Sequence, residues 1–429
     1  MASESFDLYC SSGLSEVDPD TASLIERELE RQRGTIELVA SENFTWPGVL
    51  EAMSSVPTNK YADGYPDARL HGGCEVVDEI ERLAIDRAKT LFGAEHANVQ
   101  PHAGSTANTA VYLAALEPGD TILSLSFAHG GHPSHGAEFN ISGKLYNAVF
   151  YGVSRDTFRI DFDQVRALAL EHRPRLIICG GSTYPRIVEA DRFRQIADEV
   201  GALLLCDMAH FAGLVAAGLH PNPVPHCDFV TSTTNKTLAG PRSGFILCKA
   251  EHAEAVDAGV FPALQGGPLL HTIAAKATCF KIAASEPFRA YQRQVRANAD
   301  RLAAELVAGG LEIVSGGTDT HLLCVDLRSI GLTGKDAEDR LREVGVTADP
   351  IALPFDERAG GEVSGLRLGS PALTMRGLDE QNMAEVAGIV VGALREDANP
   401  AALRDRSAAL CARRPLYPGF RGYCSFLPG

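Results

Sequence analysis

Two short apolar strands, each leading into a reactive side chain, constrain the fold of this chain more than any other feature. Residues 202–206 form a continuous apolar run that is followed directly by Asp207, and the β-branched run 229–231 leads through a hydroxyl-rich segment to Lys236. Strands and helices alternate around these runs, which is typical of a mostly parallel sheet covered by helices. Because ligands collect outside the carboxyl ends of such strands, we expect Asp207 and Lys236 to share a site.

Lys236 and Asp207 are the residue types that hold a carbonyl cofactor. Burial lowers the pKa of an ammonium group and leaves a nucleophilic amine, as Schiff-base chemistry requires; the alternative is a solvated lysine in a surface loop. An aspartate can pair with the protonated ring nitrogen of pyridoxal phosphate, and His210 can contact its phenolic oxygen or a substrate carboxylate. The pattern indicates a pyridoxal 5'-phosphate site with the Schiff base on Lys236.

The region around these residues resembles the core of serine hydroxymethyltransferase, a pyridoxal-phosphate enzyme of the aspartate-aminotransferase fold. That region reads DMAHFAGLVAAGLHPNPVPHCDFVTSTTNKTLAGPRSG, and further similar blocks are ELVASENF, NKYADGYPDARLHGGCE, FGAEHANVQPHAGSTAN, AHGGHPSHG, FPALQGGPLLH and SGLRLGSPALTMRG. The resemblance extends over about residues 24–417. It implies an α/β protein of fold type I, with a large domain built on a mostly parallel, seven-stranded type of sheet and a smaller α+β C-terminal domain.

The resemblance and a change of pattern near residue 300 predict three parts. Residues 1–40 are expected to form an N-terminal arm with a dimer-clasping helix, residues 41–300 the large cofactor-binding domain, and residues 301–429 the small C-terminal domain. A helix is also predicted over 74–92, ending at Gly93. Its apolar stripe, which we expect to be buried, consists of Val76, Val77, Ile80, Leu83, Ala84 and Leu91.

The resemblance assigns roles to several further residues around the cofactor. Gly104 and Ser105 would bind its phosphate at a helix N-terminus, and Ser182 would lie near its ring oxygen. His129 would stack on the pyridine face and handle the proton of the substrate hydroxyl, unless it is a structural loop histidine. Gly266 and Gly267 would reach the phosphate of the neighbouring subunit, which implies a homodimer, possibly a tetramer, with shared active sites.

The substrate-binding residues are expected on several segments. Arg367 has the planar guanidinium that can bind a substrate carboxylate through two hydrogen bonds, and Ser41 would assist it, although a helix-capping serine is the alternative. The remaining substrate-binding candidates are Arg242, Tyr61, Tyr65 and His71, and the catalytic candidates besides Lys236, His129 and Asp207 are Tyr61 and Asp63.

The resemblance implies cleavage of a β-hydroxy-α-amino acid, L-threonine or L-serine, to an aldehyde and a glycine quinonoid. The expected folate contacts are altered: Asp63 replaces a glutamate, Leu70 and His71 replace two tyrosines, and 348–354 replaces an asparagine-rich loop with Ile351 at a pterin-binding position. A site that lacks its polar partners loses affinity steeply. We therefore predict a folate-independent relative, similar to L-threonine transaldolases, that passes the glycyl unit to another aldehyde.

Three other functions stay open from the sequence. They are a tetrahydrofolate-dependent serine hydroxymethyltransferase, an α-methylserine hydroxymethyltransferase or aldolase, and a cofactor-binding scaffold without activity. Asn235 replaces the family's histidine just before Lys236, which is expected to alter how the imine carbon or a water molecule is handled. The acceptor aldehyde and the stereochemistry at Cβ are equally open.

Composition excludes several classes of partner. The net charge of −16, without a basic stripe, disfavours nucleic acid and anionic membranes, and no apolar run reaches the ~20 residues that span a bilayer. The ten cysteines show no CxxC pair and the histidines no HExxH, so we expect free thiols and no metal. The polar N-terminus is unlike a signal peptide, and a cytoplasmic protein is expected.

Overall fold

The computed structural model describes residues 11–356 and 362–423. The α-helices span Leu14–Val17, Pro19–Gly34, Pro47–Met53, Glu75–Phe92, Gly104–Ala115, Ile141–Leu145, Phe162–His172, Ala190–Val200, Ala212–Ala216, Ala253–Val260, Leu270–Ala283, Glu286–Ala308, Gly334–Glu343, Pro371–Met375, Glu380–Leu394 and Pro400–Arg413. The strands are β1 (Ile36–Glu37), β2 (Gly64–Tyr65), β3 (Ala68–Arg69), β4 (His96–Asn98), β5 (Thr121–Leu125), β6 (Asn147–Tyr151), β7 (Leu176–Gly180), β8 (Leu203–Asp207), β9 (Phe229–Thr233), β10 (Gly244–Cys248), β11 (Glu312–Ile313), β12 (Leu322–Asp326), β13 (Val346–Thr347), β14 (Asp349–Ile351) and β15 (Gly365–Gly369).

A seven-stranded sheet with the order β4-β10-β9-β8-β7-β5-β6 forms the centre of the molecule. The neighbours from β9 to β6 pair in parallel, whereas β10 is antiparallel to both β9 and β4. Strand β4 therefore runs in the same direction as the parallel strands. The predicted mostly parallel, seven-stranded architecture is confirmed. Its consequence is that the carboxyl ends of β4, β5, β7, β8 and β9 all lie at one edge.

Fully apolar strands give the sheet a core on both faces. Every residue of β7 is buried, and β8 is buried except for its first, partly covered residue. Such continuous burial is typical of a parallel sheet with helices on both sides. One apolar cluster packs on one face around Phe193 and Phe245, and a second packs on the other around Tyr112 and Phe229.

The smaller sheet has the order β11-β12-β15-β14 and is antiparallel throughout. Its own apolar core takes in Leu302 and Leu306 from the long helix Glu286–Ala308, whereas Phe288 at the start of that helix packs in the core of the large sheet. Ile36 and Leu38 also pack in the small-sheet core. The predicted boundaries at 40 and 300 stay a prediction, and residues 1–10 and 424–429 lie outside the described part.

The predicted helix over 74–92 is present as Glu75–Phe92 and ends at Gly93, whose φ of 72° suits glycine. Only part of its apolar stripe is covered, because Val76 is 69% and Leu83 45% exposed in one chain. The expectation that the whole stripe is buried is therefore wrong for the single chain.

Eight of the predicted free cysteines lie within the described residues and carry free, buried thiols, whereas Cys10 and Cys424 fall outside that part. In 11–356 and 362–423, no group of three or more metal-ligating side chains is assembled, and no helix is long and apolar enough to cross a bilayer.

Candidate active site

A cavity of about 400 Å³ opens at the edge of the large sheet where the parallel strands end. Nine residues predicted for the site line it: Ser41, Gly104, Ser105, Ser182, Asp207, His210, Lys236, Arg242 and Arg367. It is also lined by residues to which the sequence analysis gave no role there: His102, Ala103, His132, Gly181, Ala209, Thr233, Asn235 and Ser243. Residues scattered over more than 300 positions meet here because parallel strands bring their following loops to one edge.

Lys236 follows β9 in the segment that leads to the turn at Gly240. The pKa of Lys236 is lowered to about 8: burial is the largest cause, the charge of Asp207 opposes it, and the charges of Arg367 and Arg242 add to it. The amine is thus much more available near neutral pH than that of an ordinary lysine. This is the property that nucleophilic attack on a carbonyl requires.

Asp207 ends β8, and three groups of the same chain contact its carboxylate. Asn108 donates to its Oδ2 at 2.9 Å, His135 Nε2 lies 3.1 Å from the same oxygen, and the Ala209 amide donates to Oδ1 at 3.0 Å. Burial alone would raise the pKa of Asp207, but the hydrogen bond from His135 and the charge of that imidazole lower it overall. The carboxylate therefore stays ionised in a buried position, ready for a cationic partner.

The helix Gly104–Ala115 begins at the wall of the cavity with Gly104 and Ser105. A Cβ on Gly104 would lie 2.7 Å from the Thr233 methyl group, so only glycine lets the helix start this close to β9. Lys276, which is fully buried, donates to the carbonyls of Val99 and Gly244 at 2.6 Å and so ties the two chain segments beside this helix. Free backbone N–H groups at a helix start bind phosphate.

His132, rather than His129, lies in the cavity. His129 turns towards the end of β6, where its Nδ1 accepts a hydrogen bond from the Val153 amide at 3.1 Å and its ring packs on Phe355. A Cβ on Gly152 would meet the His129 ring at 2.4 Å, so a glycine makes room for it there. His129 therefore does not line the cavity that contains Lys236, although it was expected to cover the cofactor there.

His132 has the properties expected of the imidazole that would cover the cofactor ring. Burial, reinforced by the charge of His135, lowers the pKa of His132 to about 4, so its imidazole is neutral at neutral pH. Its Nδ1 lies 2.7 Å from the Ser134 hydroxyl, which orients the ring. The repeated histidines in HGGHPSH were the only signal in the sequence, and spacing alone does not say which one points inwards.

Arg367 enters the cavity from the small sheet. Its Nη1 donates to the Ser182 carbonyl at 2.6 Å and its Nη2 lies 3.5 Å from the Ser41 hydroxyl. This arrangement places a guanidinium and a hydroxyl on the same wall, opposite the large sheet. Such a pair can bind a carboxylate.

The remaining predicted site residues form a separate group. The Tyr61 and His71 rings meet edge to face at 5.0 Å, and His71 Nε2 lies 3.4 Å from Asp63 Oδ2. A Cβ on Gly267 would lie 2.9 Å from Asp63 Oδ1, so the Gly266–Gly267 turn adjoins this group. None of these residues lines the Lys236 cavity of the same chain.

Tyr65 is turned away from both groups. Its hydroxyl donates to the Asp257 carbonyl at 2.7 Å and accepts a hydrogen bond from Asn98 at 2.9 Å. The Tyr65 hydroxyl is therefore hydrogen-bonded to other residues of its own chain. Within a single chain, the expected substrate contact by Tyr65 is therefore not made.

The cavity fits pyridoxal phosphate on its own chemistry. His210 Nδ1 and Thr233 Oγ1 are buried polar atoms that have no hydrogen-bond partner among the described residues, and both residues line the cavity. Unsatisfied buried polar atoms are costly and point to a polar occupant. With an ionised aspartate, a desolvated lysine and a helix start on three walls, the lining complements a ring nitrogen, an aldehyde and a phosphate.

This fold and this site together define a class: pyridoxal-phosphate-dependent enzymes of fold type I, in which an aspartate at a strand end and a lysine after the next strand share one sheet edge. Comparison with protein families agrees, because the family model described as serine hydroxymethyltransferase matches residues 14–390. The chain therefore belongs to the serine hydroxymethyltransferase family. Members of this family are pyridoxal-phosphate-dependent enzymes that transfer hydroxymethyl or related groups to or from small molecules.

Proposed function

We propose that this protein cleaves a β-hydroxy-α-amino acid, L-threonine or L-serine, and transfers the glycyl unit to another aldehyde without folate. Bound pyridoxal phosphate supplies an electron sink for the bonds at the substrate Cα. Lys236 would hold the cofactor aldehyde, Asp207 the ring nitrogen, and the start of the helix at Gly104 the phosphate. These three assignments rest on the cavity geometry described above.

The protein side chains divide the remaining tasks. Arg367 and Ser41 would hold the substrate carboxylate on the wall of the small sheet. The neutral imidazole of His132 can accept the β-hydroxyl proton, since its lowered pKa of about 4 keeps a lone pair free at neutral pH. Asn235, beside Lys236, offers an amide rather than a titrating group to the same space.

The observation that carries folate independence is the packing of residues 349–355. Ile351 and Leu353 pack with Val314 and Cys324 in a small apolar cluster. The space that remains among these side chains and His129 is only about 10 Å³, too small for a ring. The family resemblance implies that this segment carries amide groups that hydrogen-bond a pterin. In this chain the segment instead carries apolar side chains, and these pack against one another and against the small apolar cluster.

The alternative is a tetrahydrofolate-dependent serine hydroxymethyltransferase, or an enzyme that acts on α-methylserine. A paired assay on the purified holoenzyme separates them. We expect the rate of acetaldehyde release from L-threonine to rise when an aryl aldehyde is added. The rate should be the same with and without tetrahydrofolate. Glycine formation from L-serine that requires tetrahydrofolate would contradict the proposal, and activity on α-methylserine alone would favour the third function.

We further propose a homodimer in which a second copy completes each site. Gly266, Gly267, Tyr61 and Asp63 lie away from the Lys236 cavity of their own chain, and exposed apolar side chains lie on the elements next to them. The exposed side chains are Val56, Tyr61, Leu70, Val76, Leu83 and Leu269. The cytoplasmic location stays a prediction.

Val76→Arg is expected to weaken the dimer, because it places a charge in an apolar face that the partner would cover. Light scattering should give twice the mass of one chain for the wild type and a shift towards one chain for the variant. Val307→Arg is the matched control, since Val307 is 55% exposed on the helix Glu286–Ala308, in another part of the molecule. A wild-type monomer with full activity, or equal dissociation in both variants, would contradict this interface.

A further inference from the structure

Arg367 is already paired with a carboxylate of its own chain. Asp349 on β14 lies directly opposite Arg367 on the antiparallel strand β15. Its Oδ2 accepts from Nη2 at 2.6 Å and lies 3.2 Å from Nε. The two side chains are 11% and 29% exposed, so the pair is largely screened from water.

Asp349 occupies one of the two edges through which a guanidinium binds a carboxylate. An arginine has five N–H donors, and its side edge is formed by Nε and one Nη. Asp349 takes that edge, while on the other side Nη1 donates to the Ser182 carbonyl at 2.6 Å and Nη2 lies 3.5 Å from the Ser41 hydroxyl. An incoming carboxylate must therefore bind at the Nη1/Nη2 end, beside the charge of Asp349.

The two histidines of the cavity whose pKa values are lowered most, His132 and His210, add little positive charge that would offset Asp349. Burial is the largest cause that lowers the pKa of His132 and of His210, and it favours their neutral forms. Arg242 is the second guanidinium in the lining. The field at Arg367 is thus that of an ion pair rather than of a free cation.

We propose that Asp349 is a specificity-determining residue of the amino-acid site. It keeps the Arg367 guanidinium oriented and, through its own negative charge, reduces the preference of that arginine for an anionic over a neutral substrate head group. This inference rests on the proposed role of Arg367 in binding the substrate carboxylate. Since like charges side by side disfavour binding, removal of the Asp349 charge alone strengthens carboxylate binding.

The test compares glycine with glycinamide, which differ in the charge of the head group. Both are titrated into the holoenzyme and followed by calorimetry and by the cofactor absorbance. Asp349→Asn keeps an acceptor oxygen for Arg367 and removes the charge. We expect the ratio of glycine to glycinamide affinity to rise about tenfold or more in this variant, with little change in glycinamide affinity.

Asp326→Asn is the matched control. Asp326 lies on β12 of the same sheet, outside the cavity, and its carboxylate oxygens accept hydrogen bonds from Arg328 Nε at 3.0 Å. The ratio of glycine to glycinamide affinity in Asp326→Asn should equal that of the wild type. A lower or unchanged ratio in Asp349→Asn would overturn the proposal, because a residue that only orients Arg367 cannot improve carboxylate binding when its charge is removed.

The binding experiment is independent of bond cleavage. If the enzyme binds glycine but cleaves neither L-threonine nor L-serine, the proposed function fails. The ratio of glycine to glycinamide affinity can still be measured, so the role of Asp349 is tested independently. The variant Arg367→Lys shows which of the two arginines, Arg367 or Arg242, binds the substrate carboxylate. If its ratio of glycine to glycinamide affinity equals the wild-type value, Arg242 binds the carboxylate and the proposal is wrong.

Discussion

Lys236→Ala is expected to abolish covalent attachment of the cofactor and to lower turnover by about 10²- to 10⁴-fold, the range for loss of a positioned catalytic amine. After borohydride reduction, mass spectrometry should find the cofactor on the Lys236 peptide of the wild type and on no peptide of the variant. The capture rate of cofactor by the wild type should rise with pH through about 8, because burial lowers the pKa of Lys236 to about 8 and the amine is the reactive form.

Lys276→Met is the matched control for a second buried lysine. The Lys276 ammonium donates to the carbonyls of Val99, Pro101 and Gly244, so its loss should lower the thermal stability. The Lys236 peptide should still carry the cofactor. A stable covalent label in Lys236→Ala, or a label that moves to Lys276, would contradict the assignment.

Asp207→Asn is expected to reduce turnover by about a hundredfold to a thousandfold, as for removal of one fixed electrostatic partner of the reacting group. The variant keeps the size of the side chain and removes the charge that Asn108 and His135 hold ionised. Cofactor affinity should also fall. Steady-state kinetics and equilibrium dialysis of the cofactor measure the two effects separately.

Asp228→Asn is its control, since Asp228 is a second buried aspartate, just before β9 and outside the cavity lining. It pairs with Arg194 at 2.9 Å and accepts from the Leu204 amide at 2.8 Å. Loss of its charge should lower the free energy of unfolding but leave the turnover of folded, loaded enzyme close to that of wild type. Equal loss of turnover in both variants would mean that Asp207 acts only through stability.

The main parts of the site follow from local sequence patterns that the fold has little freedom to rearrange. Asp207 directly ends an apolar strand, Lys236 follows the next one, and Gly104 starts a helix. Parallel strands in one sheet end at one edge, so these three residues must meet once the sheet is formed. The family and its fold type were predictable from the resemblance of many ordered sequence blocks, and the match over residues 14–390 confirms them.

The positions of other residues depend on contacts that no local pattern encodes. His129 and His132 are separated by two glycines, and Gly130 adopts a φ of 108° that turns the chain between them. Which ring enters the cavity is decided by the Val153 amide, which holds His129 at the end of β6. The residue predicted to cover the cofactor was His129, whereas the residue that lines the cavity is His132.

The sequence by itself determined the α/β fold, the lysine and aspartate of the site and the glycine at the helix start, because strand periodicity and strand-end positions are local properties of the chain. Only the tertiary structure decided that His132 faces the cavity, that Tyr61, Asp63 and Gly267 lie apart from Lys236, and that Asp349 pairs with Arg367. Those outcomes depend on loop direction and on the register between strands, which are set by packing between distant segments.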